Sequence, residues 1–432
     1  MLNRIRKRTL FALVAKIIAI ISVMLINLVV TLPLQATQIE DESSAILRKT
    51  IIGVENHLYE MDQNFPEKQL GGLGAWVDDS ELKWSNSNIN DFEAQKLSFE
   101  VKLKNREQIN AEQQIINIGK SKAVLKLTGL LDKKLKATYF RLIDYIARKK
   151  RENLLQQQRL IANSELDSWK LKVNSNDFRA DKLQQADLTL ESIWAQELEN
   201  STGLSRFKSQ RQDIEYNRNH NRNTAIDLNR QGLISIGQMI EISNEIIQSR
   251  EYQQHNNVIS KAEFDIDLAN RQRQRRNAQE KISLNSFKLE YDNKDNDLGF
   301  SIGIKMPITR NSYDSLLQEQ QRYYTMLDAQ NVITEVSDQL SEAQYQLRSI
   351  QDQWLIKQRL LHKINIRINR LSRSNNLALL LDLKKERIHR RMQQQEIEIR
   401  ALKKFIELLN ISGMLSAKPY RNWLLSGTPR IL

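Results

Sequence analysis

From Met326 onward the apolar residues step by three and four: Ala329, Ile333, Val336, Leu340, Ala343, Leu347, Ile350, Trp354, then Leu361, Ile364, Ile368 and Leu371. Only Lys357 breaks the heptad register, and a stripe sustained this long predicts coiled-coil packing. A looser stripe runs through Val124, Leu131, Leu135, Leu142, Tyr145 and Ile146. Each stripe ends in a polar, turn-forming interruption, at Val173 to Asn176 and at Ser372 to Asn376. Return stripes follow, through Leu183, Leu188, Leu190 and Ile193 in the first case and Leu377, Leu381, Ile388, Met392, Ile399, Leu402, Ile406 and Leu409 in the second. Two long helical hairpins are predicted.

Two short segments have period two instead. Leu97, Phe99, Val101 and Leu103 alternate with Lys96, Ser98, Glu100, Lys102 and Lys104, after Leu82 and Trp84 alternating with Glu81 and Lys83. Phe287, Leu289 and Tyr291 alternate with Lys288, Glu290 and Asp292; beyond the turn Asn293 to Asp297, Leu298, Phe300, Ile302, Ile304, Met306 and Ile308 oppose Gly299, Ser301, Gly303 and Lys305. Alternation with one apolar face predicts two β-hairpins.

The halves align at one offset. Leu97, Phe99, Val101, Leu103 and Lys104 match Leu298, Phe300, Ile302, Ile304 and Lys305, 201 residues on (300 − 99), and the same offset carries Asn174 to Asn375 and Asp181 to Asp382. Such persistence points to internal duplication. The expected organisation is a first repeat over 37–231, with strands at about 75–104 and a helical hairpin at about 105–231. A second repeat covers 232–432, with strands at about 282–309, a hairpin at about 310–413 and a C-terminal tail.

The N-terminus adds a compartment. Arg4, Arg6, Lys7, Arg8 and Lys16 precede an apolar run from Ile17 to Leu34 and the small Ala36, the order of a secretory signal over 1–36 with cleavage expected after Ala36. The run is near membrane-spanning length, so an uncleaved anchor is the competing reading. No second stretch is as apolar, so any further membrane entry is expected through strands. Removing the five signal cations from the net charge of +13 leaves +8 (13 − 5) for the mature chain. A mild, dispersed excess is a poor argument for nucleic acid, and Arg271, Arg273, Arg275 and Arg276 read as a solvated helix face. Cysteine is absent, which excludes disulfides, thiolate metal sites and a lipid-modified N-terminal cysteine.

Catalytic chemistry finds no foothold: no catalytic residue, cofactor site or metal site is expected, and the chain is read as not an enzyme. His57, His220, His255, His362 and His389 lack metal-ligand spacing. Gly119-Lys120-Ser121 resembles the end of a phosphate loop, but Gln114 stands where the first glycine belongs and the segment lies within a helical stretch. Gly71-Gly72-Leu73-Gly74 precedes a strand instead of following one and reads as an entry to the hairpin.

A strand pair with one apolar and one charged face fits oil on one side and water on the other. Four strands cannot close a barrel, and open edges in lipid leave backbone groups unsatisfied at several kcal/mol each. The barrel must then be shared between identical subunits. A helix from near Gln108 to Val173 extends about 100 Å, enough to stand far off the membrane.

This order, strand pair, long helix, polar turn and return helix, repeated behind a signal, resembles the TolC-like outer-membrane efflux and secretion channels over almost all of the mature chain. The segment from Leu298 to Pro307 is similar to the family's second strand with its Pro at the strand-to-helix swivel. Leu379 to Leu383 with the helix to Gly413, and the aromatic pair in Thr138-Tyr139-Phe140, are similar in place. The family's usual Val-Gly at the helical tips is missing; the tips read Val173-Asn174 and Ser372-Arg373.

The resemblance implies a mainly α fold with membrane β: an oligomeric β-barrel of twelve strands from a homotrimer, continuous with an α-helical tunnel in the periplasm of a Gram-negative bacterium. It implies a passive conduit of a tripartite efflux pump or type I secretion system, docked to a periplasmic adaptor and an inner-membrane transporter. The alternative is a periplasmic coiled-coil adaptor or scaffold protein of an export complex. The expected lipid-facing residues are Leu298, Phe300, Ile302 and Ile304, against outer-membrane lipid. Asp177, Asp181, Asn375 and Asp382 are the expected periplasmic gate, with Arg179 and Arg373 as partners. No cofactor and no nucleic acid are expected.

Overall fold

The computed structural model describes residues 47–48, 50–56, 76–86, 95–175, 178–215, 233–279, 281, 283–292, 297–305, 312–371 and 377–426. The signal segment 1–36 and the Gly71 to Gly74 entry lie outside them. The described elements run β1 (Val77–Asn86), β2 (Gln95–Leu103), α1 (Arg106–Leu171), α2 (Ala180–Glu215), α3 (Ile236–Ser249), α4 (Glu251–His255) and α5 (Asn257–Gln279). They continue with β3 (Ser283–Asp292), β4 (Asp297–Lys305), α6 (Ser312–Leu371), α7 (Leu377–Ile411) and α8 (Met414–Ala417). A further helical stretch covers part of 47–56.

The strands form one antiparallel sheet in the order β1-β2-β3-β4. Both predicted hairpins are present, and they join through β2 and β3, with Phe99 opposite Leu289. Two residues beyond β2 the helix α1 begins: the Asn105 side chain accepts from the Gln108 N–H at 2.8 Å, and Glu107 lies in the first turn. Such a cap satisfies an orphan amide and the acid favours the positive helix end. With 66 residues and no proline, α1 reaches about 100 Å.

α1 packs against α2 along its far half and against α5 nearer the sheet, while α6 packs on α7, and α7 returns along α1. The predicted α6 seam is the observed one: Val336, Leu340, Ala343 and Leu347 are buried in the main core, and Ile333, Ile350 and Trp354 pack on it. A smaller cluster of Ala162, Leu166, Ala186, Leu190 and Ile193 closes the far end of the first hairpin. The looser stripe is less faithful. Its Val124 is exposed although Leu131, Leu135, Leu142 and Ile146 are buried, and Leu188 of the first return stripe is exposed as well.

Residues 233–279 hold three helices to which the periodicity assigned nothing. They knit the waist of the helical section together with the 47–56 helix and the C-terminal segment. Tyr139 of α1 is fully buried there; its hydroxyl donates to the Arg421 carbonyl at 2.8 Å. Phe405 of α7 meets Trp423 edge-on at 6.3 Å. The Ile234 N–H donates to the Leu424 carbonyl at 3.0 Å, beside a bridge between Leu233 and Leu425. The tail is therefore part of the core.

Candidate functional site

The sheet register turns the period-two pattern into two surfaces. Leu82, Phe99, Leu289 and Phe300 are successive cross-strand partners, and so are Ser80, Val101, Phe287 and Ile302. Because alternate residues of a strand share a face, Leu298, Phe300, Ile302 and Ile304 lie on one side with Leu82, Leu97, Phe99 and Leu289. That side is uncovered: Leu298 is 64% exposed, Phe300 62%, Ile302 51% and Ile304 66%. Phe287 and Phe300 stack with ring centroids 6.1 Å apart, so the surface is continuous across strands. A contiguous exposed apolar patch of this kind marks a contact surface and not a solvated one.

The opposite face is charged and internally paired. Lys96 reaches Glu290 at 3.2 Å and Asp292 at 3.4 Å, Lys288 reaches Glu290 at 2.8 Å, and Lys102 reaches Asp79 at 3.4 Å. Gly303 is opposite Ser286, and a Cβ there would lie 2.4 Å from the serine hydroxyl. At the sheet's helical end Lys104 pairs with Glu112 at 2.8 Å, and Arg275 pairs with the same carboxylate at 2.9 Å. Arg273 reaches Glu319 of α6 at 2.8 Å. The arginine cluster read as a solvated face thus includes two ties from α5 to its neighbours.

At the far end, Arg179 and Asp181 pair at 3.3 Å within one turn. Asp181 is the second residue of α2, whereas Asp382 is exposed on the second turn of α7. The 201-residue offset therefore does not place them at equivalent helix positions. Asp177, Asn375 and Arg373 lie outside the described residues. Periodicity did not reveal the ion pairs that tie the two hairpins together: Lys385 with Glu165, Lys150 with Glu398 at 3.1 Å, and Lys403 with Asp144 at 2.7 Å. The partners are more than two hundred residues apart and share no local pattern. Glu398 also accepts from the Trp354 indole at 3.3 Å, so one carboxylate links α1, α6 and α7.

Among the described residues no group of three or more His, Cys, Asp or Glu could hold a metal ion, and no helix is long and apolar enough to cross a membrane. Ser121, in the phosphate-loop-like triplet, lies inside α1 and donates back to the Asn117 carbonyl at 3.1 Å, so the triplet forms no loop. His255, His362 and His389 sit on α4, α6 and α7; His57 and His220 lie outside the described residues.

No protein-family profile matches the chain, and no curated protein matches it by sequence. Solved structures do match. The open state of the Neisseria gonorrhoeae MtrE outer membrane channel is 10% identical, covering 85% of this chain and 86% of that one, with a TM-score of 0.54. The Campylobacter jejuni CmeC outer membrane channel is 12% identical over 87% of this chain and 86% of its own, with a TM-score of 0.52. CusC, described in connection with folding and transmembrane channel formation, is 13% identical over 85% and 88%, with a TM-score of 0.52. Near-complete coverage of both chains at so low an identity makes the likeness one of fold.

Proposed function

We propose that this chain, which has the fold of the TolC-like outer-membrane channels, is a subunit of a passive export channel in the outer membrane of a Gram-negative bacterium. One observation carries the reading: a four-stranded sheet whose apolar face is exposed and whose outer strands, β1 and β4, each have a neighbour on one side only. Strands of nine and ten residues match the length that crosses a bilayer when tilted. In this reading Leu298, Phe300, Ile302 and Ile304 face lipid, and Ser301, Gly303 and the Lys96, Glu290 and Asp292 cluster face water.

Unpaired edges cannot remain open in a hydrocarbon layer, so identical chains close the barrel. Three copies of four strands make twelve, which the resemblance favours, and their helices enclose a tunnel across the periplasm. Such a tube has no energy source of its own. It works with a periplasmic adaptor and an inner-membrane transporter, as part of a tripartite efflux pump or a type I secretion system. The alternative of a coiled-coil adaptor or scaffold leaves the apolar sheet face without an occupant.

Membrane fractionation and planar-bilayer recording test this together. Heat-modifiable oligomers in the outer-membrane fraction that form discrete conducting pores are expected. Recovery as a soluble periplasmic monomer or in the inner membrane would overturn the channel reading.

A further inference from the structure

At the waist, Asp132 of α1 is buried without a cation. Its Oδ1 accepts the Ser416 N–H at 2.8 Å, and its Oδ2 lies 2.6 Å from Asn257 Nδ2. Asn257 Oδ1 in turn lies 2.6 Å from the Thr128 hydroxyl, which is also 2.8 Å from the Leu125 carbonyl. A hydroxyl has one proton to donate, so Thr128 cannot serve both acceptors.

Two proton arrangements satisfy these same heavy-atom positions, since the oxygen and nitrogen of an amide exchange places on a half-turn. With Asp132 ionised, Asn257 donates to the carboxylate and accepts from Thr128. With a solvent proton on Asp132 Oδ2, the amide turns: its oxygen accepts from the carboxyl O–H, its NH2 donates to Thr128 Oγ1, and Thr128 donates to the Leu125 carbonyl. The carboxyl O–H, one amide N–H and the Thr128 O–H then each have their own acceptor.

The location gives the exchange leverage. Asn257 opens α5 one residue after the break at Asn256, whose side chain donates to the Ile411 carbonyl and accepts from the N–H groups of Val258 and Ile259. Ser416 lies in α8, just past the break at Gly413. Asp132 thus joins the long helix to the break in each of the two chains of helices packed on it.

We propose that Asp132, Asn257 and Thr128 form a proton-coupled latch that tightens the waist on acidification. Burial pushes the Asp132 carboxyl up to about 6, against the opposing pull of the Ser416 and Asn257 hydrogen bonds, with no charged side chain among the influences on it. Titratable groups on the surrounding elements include Lys126, Lys133, Lys134 and Lys136 on α1, Glu251 and His255 on α4, Lys261, Glu263 and Asp265 on α5, Lys403, Lys404 and Glu407 on α7, and Lys418 after α8, and none of them is among the influences on Asp132. Lys404 pairs with Glu407 at 2.5 Å and Lys418 with Glu251 at 3.5 Å. The sign follows from the raised value: the folded waist binds the proton more tightly than an opened one, so stability is gained as pH falls through about 6 and lost as it rises. The proposal stands on the waist alone and is independent of where the sheet resides.

Hydrogen–deuterium exchange of the full-length protein purified in detergent tests it, with intrinsic rates corrected for pH. Peptides covering 250–260 and 411–418 should gain roughly tenfold protection between about pH 7.5 and about pH 5 if local opening exposes Asp132. Asp132→Asn, whose amide donates to Asn257 as the protonated acid does, should have that protection at both pH values. A wild type without the gain, or a variant that keeps the full pH response and so assigns it to His255 or another group, would overturn the latch. Should Asp132→Asn fail to assemble, infrared difference spectra of the wild type decide: a protonated-carboxyl band growing in as pH falls through about 6 is expected. Carboxyl bands growing in only within the ordinary carboxylate range would overturn the proposal.

Discussion

Gly413 has φ 74°, and a Cβ there would lie 2.1 Å from the His255 carbonyl oxygen. Both facts exclude a side chain: the left-handed conformation disfavours one, and the obstacle is backbone that cannot rotate away. Gly413→Ala should therefore cost about 2 kcal/mol or more of stability at the waist, measurable as a lower thermal midpoint of the purified protein by circular dichroism. Tyr139 makes the complementary case, because its hydroxyl both donates to the Arg421 carbonyl at 2.8 Å and accepts from the Trp423 N–H at 3.4 Å. Burial raises its pKa, so it keeps its proton throughout the range in which the protein works. Tyr139→Phe leaves the ring in place and strands two backbone groups, which should cost about 1–3 kcal/mol. Limited proteolysis reads this as earlier cleavage in the tail, 418–426, with cleavage elsewhere unchanged.

Among the elements, the sheet gives the sharpest contrast, because neighbouring residues on β4 face opposite ways. Arg in place of Phe300 is expected to cost about 2–4 kcal/mol near the middle of a bilayer and to reduce the oligomer recovered from outer membranes, whereas Ser301→Arg should be tolerated. Equal loss at both positions would count against the membrane barrel. The strands were legible because a face that contacts no other part of the chain leaves an uninterrupted alternation in the sequence. The α6 seam was legible because α7 covers it with a regular stripe over many turns. By contrast, α5 fully buries only Ile259 and Ala278, too few to set a period, although ion pairs also tie it to α1 and α6. The start of α3 carries a readable signal in Ser235 and Gln238, a reciprocal capping box at the head of a helix that buries Ile236, Met239 and Ile240. The ties between hairpins and the Asp132 network were illegible for a different reason: their partners are brought together by the fold from distant parts of the chain, and no local pattern encodes such a meeting.

For the whole molecule, the proposed membrane location would leave the two open sheet edges in lipid, so that reading calls for more than one copy. Crosslinking in native membranes should give a closed oligomer, with a trimer expected; monomers alone, in intact cells and after mild extraction, would exclude a shared barrel. In the proposed ring the hairpin tips would come together around the axis, where the periplasmic gate is expected. Asp181 and Asp382 are the described members of the proposed periplasmic gate, one paired locally with Arg179 and the other exposed on the second turn of α7. A single exposed ion pair is worth under about 1 kcal/mol, and the Arg179 pair closes within its own turn, so neither acid holds the two hairpins together in one chain. Repeated around an axis, the same acids would instead set the charge at the mouth, where focusing of the potential raises the local cation concentration. Replacing both with Asn should then lower cation preference in planar bilayers without reducing the amount of assembled oligomer, and the effect should shrink at high salt as screening shortens the reach of the charges. Restriction of the mouth by the hairpin ties would act differently: Glu165→Gln, which unpairs Lys385 of α7, should raise conductance while leaving ion preference unchanged. If neither substitution alters single-channel behaviour, control of the mouth lies outside these acids and ties, and the channel itself is untouched by that result.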